Sequence, residues 1–178
     1  MRRLKYFVAS SLDGYISRLD GSVDWIFPVS GESTQDYGMS KFFASVDIAV
    51  MGRKTWDKAQ QLAPGKSFGP GIESFVFSHT EPTGAHKGTN FVSGDVGEWL
   101  WTIRQKPGKD LWLVGGGEMV QSFLSQRLVD EIGLAIHPRL LGQGIQLFPQ
   151  PYPDTQLELI RTEPYSNGLV QVFYNVKR

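Results

Sequence analysis

Cysteine is absent from this sequence of 178 residues, and histidine is scarce. The lack of cysteine excludes disulfide bonds, thiolate metal ligands and a cysteine nucleophile. The three histidines lie far apart without the spacing of metal ligands, so we expect no metal site. They are His79, His86 and His137.

An excess of charge of either sign is also absent, because 18 basic side chains balance 18 acidic ones. A basic face for nucleic acid or for a membrane surface is therefore not expected. Met1–Arg3 leads straight into a short strand-like segment and no long apolar run follows, so we predict neither a signal peptide nor a membrane span. These features favour a cytoplasmic protein with one domain over residues 1–178.

The strongest local pattern is a strand, a glycine run and a helix between residues 110 and 124. Four apolar residues ending at Val114 predict a buried strand, and Gly115, Gly116 and Gly117 follow directly. Apolar residues at helical spacing come next, at Met119, Val120, Phe123 and Leu124. Such a turn exposes backbone N–H groups at a helix N-terminus, which is a common way to bind phosphate. A tight turn without a ligand is the alternative.

A second junction of the same kind follows the buried-strand pattern Ile48–Met51. Gly52 comes next, and the predicted helix then begins with Arg53, Lys54 and Thr55. Cations at a helix N-terminus oppose the helix dipole, so this pattern indicates an anionic ligand. Two solvated surface charges are the alternative interpretation.

A long loop is predicted after the first strand, Leu4–Ala9. Asp13–Gly14 is a turn signal, and the polar segment beyond it contains Trp25, Ile26 and Pro28. Loops of this length in a compact domain are often functional, and the apolar Trp25 favours a lid that packs on the rest of the protein.

A helix is predicted to begin at Ser33 and to end near Val46. Ser33 stands three residues before Asp36, close to a capping box, so we expect Asp36 in the first helical turn. A carboxylate there is either solvated and stabilised by the helix dipole or part of an active site.

The rest of the chain predicts strands that alternate with helices, followed by an antiparallel tail. The helical pattern covers Val96–Gln105, residues 60–71 form a loop rich in Pro and Gly, and Ser166–Gly168 is a hairpin turn signal. This order predicts an α/β sheet with mixed edges. Strands are expected at Phe75–Phe77, Asn90–Val92, Ile132–Ile136, Ile145–Phe148, Leu157–Ile160 and Leu169–Val176.

The order of these motifs resembles the dihydrofolate reductase family over nearly the whole chain. The matching segments are Ala9 to Ile16, Trp25, Asp36, Met51–Trp56, Phe77–Ser78 and Val114–Gly117. This resemblance implies an α/β, three-layer fold with a mixed, mostly parallel central sheet, helices on both faces and an antiparallel C-terminal hairpin.

Finer motifs resemble the stand-alone form of the C-terminal reductase domain of riboflavin biosynthesis. They are Ser11–Ile16, Leu128–Ile132, Pro138–Gly144 and Leu147–Phe148. That family reduces 5-amino-6-(5-phosphoribosylamino)uracil, so the resemblance implies an NADPH-dependent reductase of a pyrimidine- or pterin-like heterocycle. The alternatives are a dihydrofolate reductase and a non-catalytic, nucleotide-binding dimeric protein of the same fold.

The resemblance also implies how NADPH is bound. Backbone N–H groups at the two glycine junctions would hold the pyrophosphate, and the Gly115–Gly116 peptide bond would be cis, as in that family. Ala9 and Ile16 would form the wall against the nicotinamide. The adenosine 2′-phosphate would meet Arg53, Ser78 and His79.

Glu118 is a departure within this cofactor site, because dihydrofolate reductases carry an arginine at its position. An acid near the phosphates of NADPH repels them, so this residue weakens the expected preference for NADPH over NADH. The other cofactor residues expected around the two junctions are Gly52, Arg53, Lys54, Thr55, Val114, Gly115, Gly116, Gly117 and Met119.

The resemblance assigns the catalytic role in the substrate site to Asp36, which would orient the ring and help to supply a proton. Three departures argue against folate itself. Ala135 replaces a threonine that backs the acid, Ser40 replaces an aromatic residue, and only Lys66 lies near the place of the arginine that holds the tail of folate.

The apolar-rich segment Ile132–Phe148 could form a β-arm between two copies of the chain. Domains of the family that this chain resembles pair through sheet edges and late strands. The resemblance therefore implies a homodimer.

Overall fold

The computed structural model describes residues 1–26, 35–80, 83–86 and 88–178. Its helices are α1 (Met39–Ala44), α2 (Arg53–Leu62), α3 (Val96–Arg104) and α4 (Gly117–Ser125). Its strands are β1 (Leu4–Ser11), β2 (Tyr15–Ser17), β3 (Val46–Gly52), β4 (Glu73–Phe77), β5 (Gly84–His86), β6 (Thr89–Val92), β7 (Asp110–Gly115), β8 (Glu131–His137), β9 (Ile145–Gln146), β10 (Leu157–Pro164) and β11 (Val170–Val176).

Nine of these strands form one sheet in the order β10-β11-β8-β1-β7-β3-β4-β6-β5, and β2 pairs with β9. The six strands from β8 to β6 in this order run parallel, whereas β11 and β10 join as an antiparallel hairpin. The hairpin turn is closed by the Tyr165 N–H, which donates to the Leu169 carbonyl at 2.8 Å. The expected fold class is therefore confirmed.

Apolar side chains cover both faces of the sheet, which gives the molecule three layers. On one face, Leu100 of α3 and Phe123 of α4 pack against strand residues such as Leu113. On the other face, Phe42 of α1 and Trp56 of α2 pack against a second buried cluster. Burial of each large apolar side chain contributes about 1.5–3 kcal/mol, so the two faces stabilise the sheet together.

The predicted start of the first helix at Ser33 is wrong, because α1 begins only at Met39. Tyr37 and Gly38 have φ values of 50° and 72°, and an α-helix cannot continue through this left-handed backbone. Asp36 thus lies before the helix, where its carboxylate accepts a hydrogen bond from the Ser40 N–H at 3.0 Å. The proposed capping residue Ser33 lies outside the described residues.

The β-arm expected from Ile132–Phe148 is also wrong in its first half. Strand β8 is paired with β1 on one side and with β11 on the other, so its backbone is not available to a second chain. The edge strands of the sheet are β10 and β5. A homodimer and the single-domain organisation stay predictions of the sequence.

The loop after β1 is anchored to the connection between β8 and β9. The Asp13 carboxylate accepts the backbone N–H groups of Leu141 and Gly142 at 3.0 and 2.7 Å. Trp25 is buried, with its ring edge-on to His137 at 5.4 Å between centroids. The prediction that Trp25 packs on the rest of the protein is confirmed, whereas Pro28 lies outside the described residues.

Helix α2 continues to Leu62, three residues into the segment predicted as a loop. No helix in the described part of the chain is long and apolar enough to cross a membrane.

Candidate active site

The two glycine junctions predicted from the sequence face each other at one edge of the sheet. Gly52 ends β3 and Gly115 ends β7, and these strands are parallel neighbours. A methyl group at Gly116 would lie 3.0 Å from Thr55 Oγ1 and 3.9 Å from the Gly52 nitrogen. The N-termini of α2 and α4 therefore meet in a narrow space that a side chain would fill.

The helices that begin at these junctions both have a glycine at the N-cap position. Neither Gly52 of α2 nor Gly116 of α4 can therefore cap its helix with a side chain. Helix α3 is different, because the Asp95 carboxylate accepts the N–H groups of Gly97 and Glu98 at 2.8 and 3.0 Å. The N-termini of α2 and α4 are thus suited to an anionic ligand.

The cations of the second junction are paired with carboxylates of the chain itself. Lys54 Nζ lies 3.1 Å from Glu118 Oε1, and both side chains are exposed. Arg53 Nε donates to Asp57 Oδ1 at 2.8 Å. Exposed ion pairs contribute about 0–1 kcal/mol, so a bound phosphate can compete with these carboxylates.

The cis peptide bond implied between Gly115 and Gly116 is not found, since this bond is trans. The turn is made instead by the φ angles of the two glycines, which are 135° and 84°. Side chains other than glycine rarely adopt such angles, which explains why glycines stand here.

Arg53 and Ser78 follow the carboxyl ends of neighbouring parallel strands. The register pairs Gly52 with Phe77, so the residues after each strand are brought to the same edge. The Ser78 side chain is buried, with its Oγ 3.2 Å from Thr80 Oγ1, whereas His79 is exposed. The structure brings together the first two residues predicted to meet a 2′-phosphate.

A cavity of about 270 Å³ lies on the face of the sheet that carries α1. The register aligns Ala9 of β1 with Ala135 of β8, and Ala135 with Gln171 of β11. Val114 also lines the cavity and directly precedes the glycine turn. The apolar lining residues are Phe7, Val8, Ala9, Ile26, Met39, Trp112, Val114, Ala135 and Leu169.

Ile16, which was expected beside Ala9 in the nicotinamide wall, is not among the described residues that line the cavity. It is half-buried against the apolar cluster on the face of α3 and α4. Ala9 lines the cavity, and the contact of both residues with a nicotinamide ring stays a prediction.

Trp112 forms an aromatic wall of the cavity that is held in place. Its Nε1 donates to the Phe7 carbonyl at 2.9 Å. Three phenylalanine rings lie 5.4–5.6 Å from the Trp112 ring, measured between centroids. They are Phe42, Phe43 and Phe68. Such packing keeps a flat aromatic side chain in one orientation, which suits a planar ligand.

The polar groups of the cavity are Tyr37, His137 and Gln171. Gln171 is buried, and its Nε2 donates to the Tyr37 carbonyl at 3.0 Å while its Oε1 accepts from the Tyr165 hydroxyl at 3.2 Å. Burial lowers the pKa of His137, so its imidazole is neutral at pH 7. These groups offer a ligand neutral donors and acceptors.

Sequence reasoning missed all three of these residues and Trp112. His137 carried a usable signal, because it stands two residues after Ala135 and side chains alternate along a strand. Gln171 carried none, since its place depends on the register between β8 and β11.

Asp36 is exposed, and its carboxylate accepts hydrogen bonds from the Ser40 N–H at 3.0 Å and the Ser40 hydroxyl at 2.9 Å. It directly precedes Tyr37 but is not among the described residues that line the cavity. The carboxylate therefore stands beside the cavity wall, where it remains open to solvent.

Several known proteins are similar to this chain in sequence and in structure. The profile of the RibD C-terminal domain matches residues 73–171. The uncharacterized protein YyaP of Bacillus subtilis (strain 168) is 32% identical over 98% of this chain and 95% of its own length. The crystal structure of a candidate riboflavin biosynthesis protein from Shewanella sp. PV-4 is 30% identical, with a TM-score of 0.85 over 99% of both chains.

A dihydrofolate reductase is also similar in structure. The enzyme from Enterococcus faecalis, solved in complex with NADP(H), has a TM-score of 0.69 at 15% identity over 99% of this chain and 97% of that chain. At this identity the similarity concerns the fold alone, and it confirms the expected dihydrofolate reductase-like architecture.

Proposed function

Because this chain belongs to the RibD C-terminal domain family, we propose that it is an NADPH-dependent reductase of a pyrimidine- or pterin-like heterocycle. The observation that carries the proposal is that the glycine turn lies directly next to the cavity. Val114 lines the cavity, and the next residue, Gly115, begins the glycine turn between the N-termini of α2 and α4. A dinucleotide held at that turn can therefore reach the cavity with its reactive ring.

The residues at the turn fit the pyrophosphate of NADPH. Gly116 leaves a space that a methyl group would fill. The N-termini of α2 and α4 begin at this edge of the sheet, and N–H groups at a helix N-terminus favour an anion. The exposed Lys54 can leave Glu118 to pair with a phosphate oxygen. When bound, the cofactor supplies a hydride for the ring in the cavity.

The residues around the cavity then position the substrate. The apolar wall that includes Phe7 and Trp112 excludes water from the path of the hydride. Gln171 and Tyr37 orient the ring through neutral hydrogen bonds. Reduction of a C=N or C=O bond also needs a proton on the heteroatom, and Asp36 supplies it from beside the cavity.

A substrate screen tests this proposal. Oxidation of NADPH is followed by its loss of absorbance in the presence of a panel of pyrimidines, pterins and dihydrofolate. We expect turnover with at least one pyrimidine or pterin and much weaker turnover with dihydrofolate. NADPH binding without oxidation by any member of the panel would favour a nucleotide-binding protein instead. The cytoplasmic location and the homodimer are part of the proposal and remain predictions.

Replacement of Arg53 by alanine is expected to weaken binding of NADPH far more than binding of NADH. The guanidinium stands at the same strand edge as Ser78 and can exchange Asp57 for the 2′-phosphate, which only NADPH carries. Titration of both cofactors at low and high salt measures the effect, and the difference should shrink at high salt. Asp57→Ala is the matched control, because it removes the carboxylate that accepts from Arg53 Nε and keeps the guanidinium.

Equal losses of affinity for the two cofactors would place Arg53 at the pyrophosphate or outside the site. In that case the preference for NADPH would have no source in this side chain.

A further inference from the structure

The described wall of the cavity carries no lysine or arginine. Its polar members are the amide of Gln171, the phenol of Tyr37 and the imidazole of His137, whose pKa is lowered by burial. The wall is therefore without formal charge at neutral pH. A ligand that brings its own charge into this cavity meets no opposite charge among the described lining residues.

The chain that joins two members of the wall also lacks basic residues. Residues 27–36 connect Ile26 to Tyr37, and this stretch contains the acids Glu32 and Asp36 but no lysine or arginine. The sequence therefore contains no basic residue between these two members of the wall.

Arg161 of the neighbouring hairpin is paired with a carboxylate. Arg161 Nε donates to Glu163 Oε1 at 2.6 Å, and the Arg161 guanidinium lies 3.5 Å from the centre of the Phe173 ring. The hydrogen bond from Arg161 holds the pKa of Glu163 low, and the charge of Lys41 adds to this effect. Glu163 therefore neutralises part of the charge of Arg161.

The size of the cavity also favours a ligand without a phosphate group. Its volume of about 270 Å³ is slightly below the range of roughly 300–1,000 Å³ for small-molecule sites. A planar ring fits this space, whereas a ribosyl phosphate attached to it has to extend past the wall. A phosphate dianion left near apolar side chains without a cation loses hydration that nothing replaces.

We propose that the cavity takes an uncharged planar heterocycle without a phosphate group, as the free base or nucleoside, and discriminates against the phosphorylated form. This inference rests on the proposed function and narrows its substrate class. It separates this chain from the reductase that its sequence resembles, for which the ring carries a phosphoribosyl group.

Binding of two matched pairs of ligands tests the inference without turnover. The pairs are 5-amino-6-(ribosylamino)uracil with its 5′-phosphate, and 6-hydroxymethyl-7,8-dihydropterin with its phosphate. Calorimetric titration uses the wild-type protein with and without oxidised NADP, which cannot donate a hydride. We expect the form without phosphate to bind at least tenfold more tightly in one pair or both, which corresponds to about 1.4 kcal/mol.

Equal or tighter binding of both phosphorylated ligands would overturn the inference, and so would the failure of all four ligands to bind. Neither result bears on the proposed reductase activity, which is decided by the oxidation of NADPH in the wider screen. The two claims can therefore fail separately.

A pair of variants tests whether the lack of a cation in the cavity wall causes the discrimination against phosphorylated ligands. Met39 lines the cavity at the start of α1, and Met39→Lys places a cation there while Met39→Gln adds polarity without charge. In Met39→Lys we expect the discrimination against phosphate to fall at least threefold relative to Met39→Gln, with the difference lost at high salt. Circular dichroism verifies that both variants fold. The same discrimination in the two folded variants would contradict the inference.

Discussion

Replacing Asp36 by asparagine is expected to lower turnover about 100-fold or more, which is the low end of general acid–base contributions. Asparagine keeps the size and the hydrogen-bonding reach of the side chain but cannot release a proton. Affinity for NADPH should stay within about threefold, or roughly 0.7 kcal/mol, because Asp36 lies on α1's side of the sheet and not at the glycine turn. Steady-state kinetics from pH 5 to 9 and a cofactor titration measure both quantities.

Ser40→Ala is the matched control for this experiment. It removes the hydroxyl that donates to Asp36 at 2.9 Å but leaves the carboxylate and the backbone N–H of Ser40. We expect its turnover to change much less than that of Asp36→Asn. If Asp36→Asn turns over like the wild type at every pH, Asp36 only stabilises the first turn of α1 and the proton comes from another donor, such as a water molecule.

Replacing Gly116 by alanine is expected to weaken NADPH binding at least tenfold, or about 1.4 kcal/mol. The added methyl group would lie 3.0 Å from Thr55 Oγ1, in the space proposed for the pyrophosphate. The φ angle of 84° adds backbone strain of about 1–2 kcal/mol for any residue with a Cβ atom. Fluorescence titration of the folded variant gives the loss of affinity.

Gly65→Ala separates backbone strain from the blocked space as the cause of the weaker NADPH binding in Gly116→Ala. Gly65 has a similar φ angle of 70°, but a methyl group there meets nothing within 4 Å, and the residue lies in the exposed loop after α2. Its variant should lose comparable stability and keep the wild-type affinity for NADPH. A Gly116→Ala protein that is folded and binds NADPH like the wild type would mean that the turn does not hold the cofactor.

The two glycine junctions could be predicted from the sequence because their signals are local. At Gly52 and again at Gly116, a short apolar run, glycine and a helical pattern follow one another within a few residues. The structure has both turns where they were expected. The two turns meet in space because β3 pairs with β7. The resemblance to a known fold implied only that both turns hold one pyrophosphate.

The cavity was harder to predict because its residues come together through distant pairing. Gln171 reaches the site only because β11 pairs with β8 in a register that sets it opposite Ala135. The late start of α1 was also hidden, since Tyr37 adopts a φ of 50° that few residues other than glycine take and that no pattern in the sequence indicates. The predicted start of α1 was therefore wrong because of Tyr37, which also lines the cavity.

Transfer of a labelled hydride is the most direct test of the proposed reaction. NADPH that carries deuterium at one or the other position of the reactive ring carbon is mixed with the protein and with a heterocycle that oxidises it. Mass spectrometry of the product then detects the label. We expect the deuterium from one of the two labelled forms to appear in the reduced heterocycle. Loss of NADPH without label in the product from either form would contradict the account.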